Sequence, residues 1–494
     1  MNADTTTFKP RSSAMKKIVS TVSCLIIGAM LLVTILSRTG AATQNKLAGV
    51  KPLRPSGVVE RCSAIIVGKK ATKDGSVILA HNEDLANFSA HHYMYQPRVI
   101  HGEGKVFTSY WGAKIPQVAE TFAYSATKIF DKSYSPGDIT SGMNEHQVAV
   151  ANDMAELRDA PVDLPTKGRI IWTEMTQLAL ERSKTAREAV KVIGDMVHTY
   201  KLGSDSGTMF AVTDINEGWW VEVTLEGQWV AQRVADDSIG FRANMFRIGE
   251  VNFNDPANFM FSEDLVEYAK KMGWYDGKEA FNFSKVYAPA NPNETYSTRR
   301  QWRAEELLQK QVGSVTPKDI MAVLRDHYEG TKYDLTNNYK KGSPHHTNER
   351  TICSITTEAS VICQSRGWLP AEIGAICWRA MTTPCTSVYT PWYLGSKDVP
   401  AAYRTGTNQY TGNSAYWTFR NLSRFADIRY EAVNEKIRKK LEAFEKKEFE
   451  AQESMEKSAV KLYGQNKGKA EKFLTSYTND MAAKAMHLVN SLAK

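Results

Sequence analysis

The 494-residue chain contains no CxxC pair, no internal repeat and no low-complexity tract. Those absences remove the spacing signature of a small zinc module and the architectures built by stacking repeats. Cysteine is scarce, six in all, and four of them (Cys353, Cys363, Cys377 and Cys385) crowd one segment. No His or Cys lies two to four residues from any of the four, so spacing alone leaves free thiols and disulfides both open. The adjacent pair His345-His346 points apart in either regular structure and has no third ligand nearby in sequence. It reads as polar loop, and neither metal nor cofactor is expected.

A basic body is also missing. The formal charge of +8 comes from 62 Lys and Arg against 54 Asp and Glu, but residues 1–61 hold nine of the basic and two of the acidic residues. That leaves 53 against 52 in the rest of the chain, without the concentrated basic face that phosphate recognition requires. No nucleic-acid partner is expected. With 42% hydrophobic and 10% aromatic residues, the chain reads as globular.

What the sequence does have begins at its start. Lys16-Lys17 leads into an apolar run over 18–36, followed by Ser37-Arg38-Thr39-Gly40-Ala41-Ala42. This is the charged, apolar and small-residue order of a secretory signal. Export to the periplasm, cell envelope or exterior is the expectation. The run is nearly long enough to span a bilayer, so a membrane tether through 18–36 is the alternative. Cys24 lies inside the run as a small hydrophobe. Residues 1–42 are therefore assigned to a signal peptide or membrane anchor, and the polar stretch 43–61, with Pro52 and Pro55, to a propeptide or linker.

From Cys62 the texture changes. Residues 62–68 and 76–81 are β-branched apolar runs separated by KKATKDG, which predicts a hairpin. Residues 208–213, 219–224 and 228–234 read as a meander divided by Asn216-Glu217-Gly218 and Glu226-Gly227. Helical spacing recurs over 172–182, 185–200, 262–272 and 299–311, and again from about 421 to the end. The mixture predicts an α+β class.

A cysteine that opens a strand just after an arginine has unusual chemistry if the Arg61–Cys62 bond is cut. Its freed α-amine titrates at about 7.7–8.0 and its thiol at about 8.5, so one residue carries a nucleophile and a base of matched strength. A buried structural cysteine is the plain alternative. The segment CSAIIVGKKATKDGSVILAHNED resembles the opening of the cysteine dipeptidase family (dipeptidase A type) of the N-terminal-nucleophile hydrolases. Secernins and, more remotely, penicillin V and bile-salt acylases are its relatives. Further matches follow in GMNEHQVAVAND (142–153), FRANMF (241–246), GWYDGKEAFNFSKVYA (273–288), RRQWRAEELL from Arg299, and HYEGTKYDLT (327–336).

The resemblance implies a four-layer αββα sandwich, with a hydrolase domain over 62–420 and a helical segment over 421–494 packed on it. It also implies roles. Cys62 would be the nucleophile and Asp84 would orient the α-amine. Asn244 would stabilise the oxyanion, with Asn152 as a second donor, and Arg300, flanked by Arg299 and Arg303, would lie near the nucleophile. His81 departs from the family, which commonly has Arg there; a neutral imidazole stabilises a thiolate less, and a protonated one partly substitutes. The function implied is a cysteine dipeptidase acting on dipeptides. The alternatives are an N-acyl amide hydrolase of the acylase type and a non-enzymatic secernin-like binding protein. A homo-oligomer is left open, and Asn87-Phe88-Ser89 fits a glycosylation sequon.

Overall fold

The computed structural model describes residues 62–85, 89–130, 138–158, 166–289 and 294–493; the expected signal and propeptide segments and Asn87 of the sequon lie outside them. Strands β1 (Ser63–Val67) and β2 (Val77–Asp84) form the hairpin that the sequence predicts. Their neighbours come from far along the chain: β10 (Ile239–Arg242) pairs with β1, and β12 (Thr357–Ser365) pairs with β2. Adding β13 (Ile376–Met381) and β14 (Thr390–Tyr393) completes a six-stranded antiparallel sheet in the order β10-β1-β2-β12-β13-β14.

A second, eight-stranded sheet holds β3 (His91–Gln96), β4 (Tyr124–Ile129), β5 (Ile139–Asn144), β6 (Ala149–Ala155), β7 (Gly207–Thr213), β8 (Gly218–Val223), β9 (Trp229–Val234) and β11 (Phe259–Phe261). Its order is β11-β9-β8-β7-β6-β5-β4-β3. Alternation along the strands decides what each face meets. Ala64, Ile66 and Leu79 of the first sheet pack against Ala149, Ala151, Met209 and Ala211 of the second, so the sheets are stacked face to face.

The outer faces carry helices. Helices α1 (Trp172–Arg182) and α2 (Ala186–Tyr200) cover the eight-stranded sheet, setting Leu178, Val190 and Ile193 against Val150, Phe210 and Val221. On the other side, α3 (Glu294–Leu308) and α4 (Pro317–Leu324) pack Ala304, Leu308, Ile320 and Leu324 on Ile65, Ile78, Ala80 and Ile362. Three C-terminal helices follow: α5 (Ala415–Ile428), α6 (Tyr430–Gln465) and α7 (Lys467–Leu492). Met455, Ala459 and Leu474 of the last two join the same core. The layering is α, β, β, α.

Two helices differ from their sequence patterns. Helix formation over 262–272 is confined to Leu265–Lys271, because β11 precedes it and Gly273 at φ 71 ends it. The helix expected over 299–311 starts at Glu294 and gives way to a 3₁₀ turn over Gln309–Gln311. Among the described residues, no helix is long and apolar enough to cross a membrane.

Gly194, mid-helix in α2, costs helix stability relative to Ala, and packing explains it. A Cβ there would lie 2.3 Å from Cε2 of Trp229 on β9. Gly194→Ala is therefore expected to lower the unfolding free energy by about 1–3 kcal/mol, the cost of overpacking, despite the better helix former. Urea denaturation measures it, and a neutral or stabilising result would show that Trp229 yields freely.

Candidate active site

Cys62 is placed by strand register. Ala64 stands opposite Arg242 on β10 and opposite His81 on β2, so two residues earlier Cys62 falls between the segment after Arg242 and the end of β2. The Asp84 backbone N–H points at its sulfur (N···Sγ 3.4 Å), and Sγ also approaches the Asp84 carbonyl at 3.8 Å. The side chain is buried. Asn244 turns the chain at φ 55, a left-handed conformation that Asn tolerates better than most residues.

Arg300 ties these pieces together. Its Nη1 donates to the Cys62 carbonyl at 3.0 Å and its Nη2 to Asn244 Oδ1 at 2.9 Å. With its oxygen so held, the Asn244 amide nitrogen is fixed in direction. One of its two N–H groups donates to Met154 O at 2.8 Å, and an amide carries a second. Of the three clustered arginines, Arg299 pairs with Glu349 and Arg303 with Asp326. Arg300 is the one whose fork reaches Cys62. Burial, then the nearby positive charge of Arg350, lowers its pKa to about 10.

Asp84 ends β2 with its carboxylate buried. Thr357, its register partner on β12, donates to Oδ1 at 2.5 Å, and Arg350 makes a short ion pair with Oδ2. These two supporting residues were not identified from the sequence. They lie 273 and 266 positions from Asp84, beyond the reach of local pattern.

On the face of β2 toward the second sheet lie His81 and Glu83. His81 Nε2 meets Asp153 Oδ1 of β6 at 2.8 Å and Glu83 Oε2 at 3.6 Å. Ligand atoms of Cys62, His81 and Asp153 all fall within 4.8 Å of one another. Burial raises the Glu83 pKa to about 8. Burial also raises that of Asp153, against the pull of His81. For His81 burial works the other way, but the Asp153 carboxylate outweighs it and the imidazole holds its proton more tightly than usual. The Cys62 thiol is pushed well up by burial and then by Glu83, Asp153 and Asp84.

Asn152 is a correction. Its amide donates to Ile139 O (3.2 Å), Thr140 O (3.1 Å) and Thr176 Oγ1 (2.8 Å), facing α1 on the far side of the eight-stranded sheet. The reason is the two-residue period of β6: Ala149, Ala151 and Ala155 face the other sheet and Val148 and Val150 face the helices. Odd-numbered Asp153 points to Cys62, and even-numbered Asn152 cannot.

Two stacked antiparallel sheets between helical layers, with Cys62 just before a central strand of one of them, form the αββα layering expected of an N-terminal-nucleophile hydrolase. A family model, peptidase family C69, matches residues 61–443, and the chain belongs to that family. A "probable dipeptidase" of Salmonella dublin is 31% identical over 402 residues, covering 75% of this chain and 90% of that protein. One of Latilactobacillus sakei is 28% identical over 397 residues, covering 76% and 82%. Among solved structures, penicillin V acylase from Agrobacterium tumefaciens overlaps 70% of this chain and 92% of its own at 14% identity and a TM-score of 0.36. A conjugated bile acid hydrolase from Clostridium perfringens overlaps 71% and 97% at 12% and 0.34.

Glu83, His81 and Asp153 all bind protons more tightly than their free side chains. A raised folded-state value contributes stability that is complete below the unfolded value and lost as pH rises through the folded one. For Glu83 that window runs from its ordinary 4.5 to about 8. The stability difference between wild type and Glu83→Gln should therefore shift steadily across this range in favour of the variant, as read by urea denaturation at fixed pH values. A difference independent of pH would mean that Glu83 does not hold the proton.

Proposed function

We propose that this chain is a cysteine dipeptidase, made as a precursor and matured by cleavage of Arg61–Cys62. One observation carries the reading: Arg300 holds both the Cys62 backbone and the Asn244 side chain, while Asp84 stands beside the sulfur with its own orientation fixed by Arg350 and Thr357. A nucleophile, an oxyanion donor and a carboxylate able to orient an amine thus share one rigid frame.

The charge pattern supports maturation. Burial, and then the acidic side chains of Glu83, Asp153 and Asp84, raise the pKa of the sulfur. Cutting the preceding bond converts an amide into an amine that can carry a positive charge at the same residue, which opposes those effects and favours the thiolate. The thiol proton then passes to the α-amine as sulfur attacks the peptide carbonyl. The second Asn244 N–H stabilises the resulting oxyanion. The amine next protonates the departing amino group, and the C–N bond breaks to leave a thioester. Water adds to the thioester carbonyl and gives a proton to the α-amine; the C–S bond then breaks, the amine returns that proton to sulfur, and the first residue leaves as its free carboxylic acid. Dipeptides as the substrate class follow from the named relatives. The charged, apolar and small-residue order of residues 16–42 supports export, with retention through 18–36 as its membrane-tethered form.

The test is the mass of the purified active protein together with a panel of dipeptides and N-acyl amides. The mature species is expected to begin at Cys62 and to hydrolyse dipeptides. Cys62→Ala should remain uncut and inactive. Asn244→Ala should mature but lose about 10²–10³ in kcat, the usual effect of deleting one oxyanion donor. Active material in which the Cys62 nitrogen is still an amide would overturn the mechanism, and turnover of N-acyl amides in preference to dipeptides would overturn the substrate assignment.

A further inference from the structure

Away from Cys62, on the helix-covered side of the six-stranded sheet, four residues distant in sequence meet. His327 follows α4, His345 and Cys353 belong to the loop that leads into β12, and Cys385 lies in the 3₁₀ turn Pro384–Thr386 after β13. All four are buried, and one ligand atom from each falls within 4.8 Å of every other. We propose that they form a tetrahedral zinc site that staples this loop to the body of the protein.

The distances fit the ion. A tetrahedron with Zn–N of about 2.05 Å and Zn–S of about 2.3 Å has edges of roughly 3.3 Å between nitrogens and 3.6 Å between nitrogen and sulfur. The two imidazole Nε2 atoms are 3.1 Å apart, and His345 Nε2 lies 3.7 Å from Cys385 Sγ and 4.0 Å from Cys353 Sγ. Two thiolates and two imidazoles are the donor set that selects zinc among common divalent ions.

The outer contacts strengthen the assignment. His327 Nδ1 is 3.2 Å from Glu329 Oε1, and His345 Nδ1 is 3.1 Å from Asp427 Oδ1. A carboxylate at Nδ1 fixes the proton there and leaves the Nε2 lone pair for a metal. Both Nε2 lone pairs then converge on one point 3.1 Å across, a repulsive arrangement that a cation at that point makes attractive. Asp427 is itself held by Ser343 Oγ at 2.5 Å and His346 Nε2 at 2.7 Å. His346 thus supports its neighbour's ligand without being one. The carboxylates are oriented, the sulfurs lie in an apolar cluster with Tyr430 and Tyr339, and a cavity of about 730 Å³ lined by His327, Glu329, Cys385 and Tyr430 offers an entry path.

Neither the cysteine spacing nor the His345-His346 pair disclosed this arrangement, because the fold rather than the local sequence brings the ligands together. The staple has a purpose. Arg350, which orients Asp84, lies between His345 and Cys353 in the stapled loop.

The full-length protein purified without added metal or chelator is expected to contain one zinc per chain by plasma mass spectrometry. Cobalt exchange should give intense tetrahedral d–d bands with thiolate-to-metal charge transfer. Cys353→Ser and Cys385→Ser should each lower zinc content at least tenfold, and Cys62→Ala should leave it unchanged. Wild-type protein that holds no zinc and takes up no cobalt overturns the proposal, whether or not the serine variants fold. So does a Cys353–Cys385 disulfide in the metal-free chain. Zinc lost with Cys62→Ala but retained in the serine variants would place the ion at Cys62, His81 and Asp153 instead, and equally overturns it.

Discussion

Strand β1 is paired on both sides, by β2 and by β10, and that double ladder is the constraint on which the site depends. With Ala64 held opposite both His81 and Arg242, the sulfur of Cys62 can only emerge beside the end of β2 and the turn at Asn244. A slip of one residue in either ladder would send every side chain to the opposite face. The buried Ile65 and Val67 on one face and Ala64 and Ile66 on the other make such a slip costly. The precision of the chemistry is thus inherited from the packing of small and β-branched side chains several residues away.

The charges near the sulfur do not serve stability. Moving an ion from water into the interior costs several kcal/mol even after relaxation, and the attraction within a buried pair often fails to recover it. Glu83, Asp84, Asp153, Arg300 and Arg350 are all buried within one neighbourhood. Replacing such buried ion pairs by apolar groups of the same volume is often neutral or stabilising. What the arrangement supplies is direction: Arg350 and Thr357 leave Asp84 a single orientation, and Arg300 does the same for Asn244. His81 fits this scheme. Burial lowers its pKa, Asp153 and Glu83 raise it by more, and its Nε2 is held 2.8 Å from Asp153 Oδ1.

Much of the fold was legible because its signals are local. The β-branched runs around KKATKDG, the Gly-containing turns of the meander and the apolar spacing of α1 and α2 each determine their own element. Stacking of the two sheets was not legible from periodicity, since strands covered on both faces lose the alternation that reveals a half-buried sheet. The structure brings together those candidate residues that sit in a recognisable segment, Cys62, Asp84, Asn244 and Arg300. Arg350 and Thr357 escaped because pairing between β2 and β12 joins parts of the chain more than 250 residues apart. Asn152 was misplaced, with Asp153 in the facing role, because a motif does not reveal which parity of a strand faces inward.

Cys62 and the loop before β12 are joined through one chain of contacts. Helix α3 presents Arg300 to the Cys62 carbonyl and, one turn on, Arg303 to Asp326, so its rotation cannot change at one end without disturbing the other. Asp326 in turn accepts the Cys353 backbone N–H at 3.1 Å. Tyr328, held at φ 69, donates its hydroxyl to the Arg350 carbonyl at 2.7 Å. Asn82, two residues before Asp84, donates to Leu324 O at 3.0 Å and Ile352 O at 3.4 Å. These links run through buried, hydrogen-bonded groups that have little room to relax. A disturbance that released the loop would reach Asp84 through its ion pair with Arg350 and α3 through the Asp326–Arg303 pair.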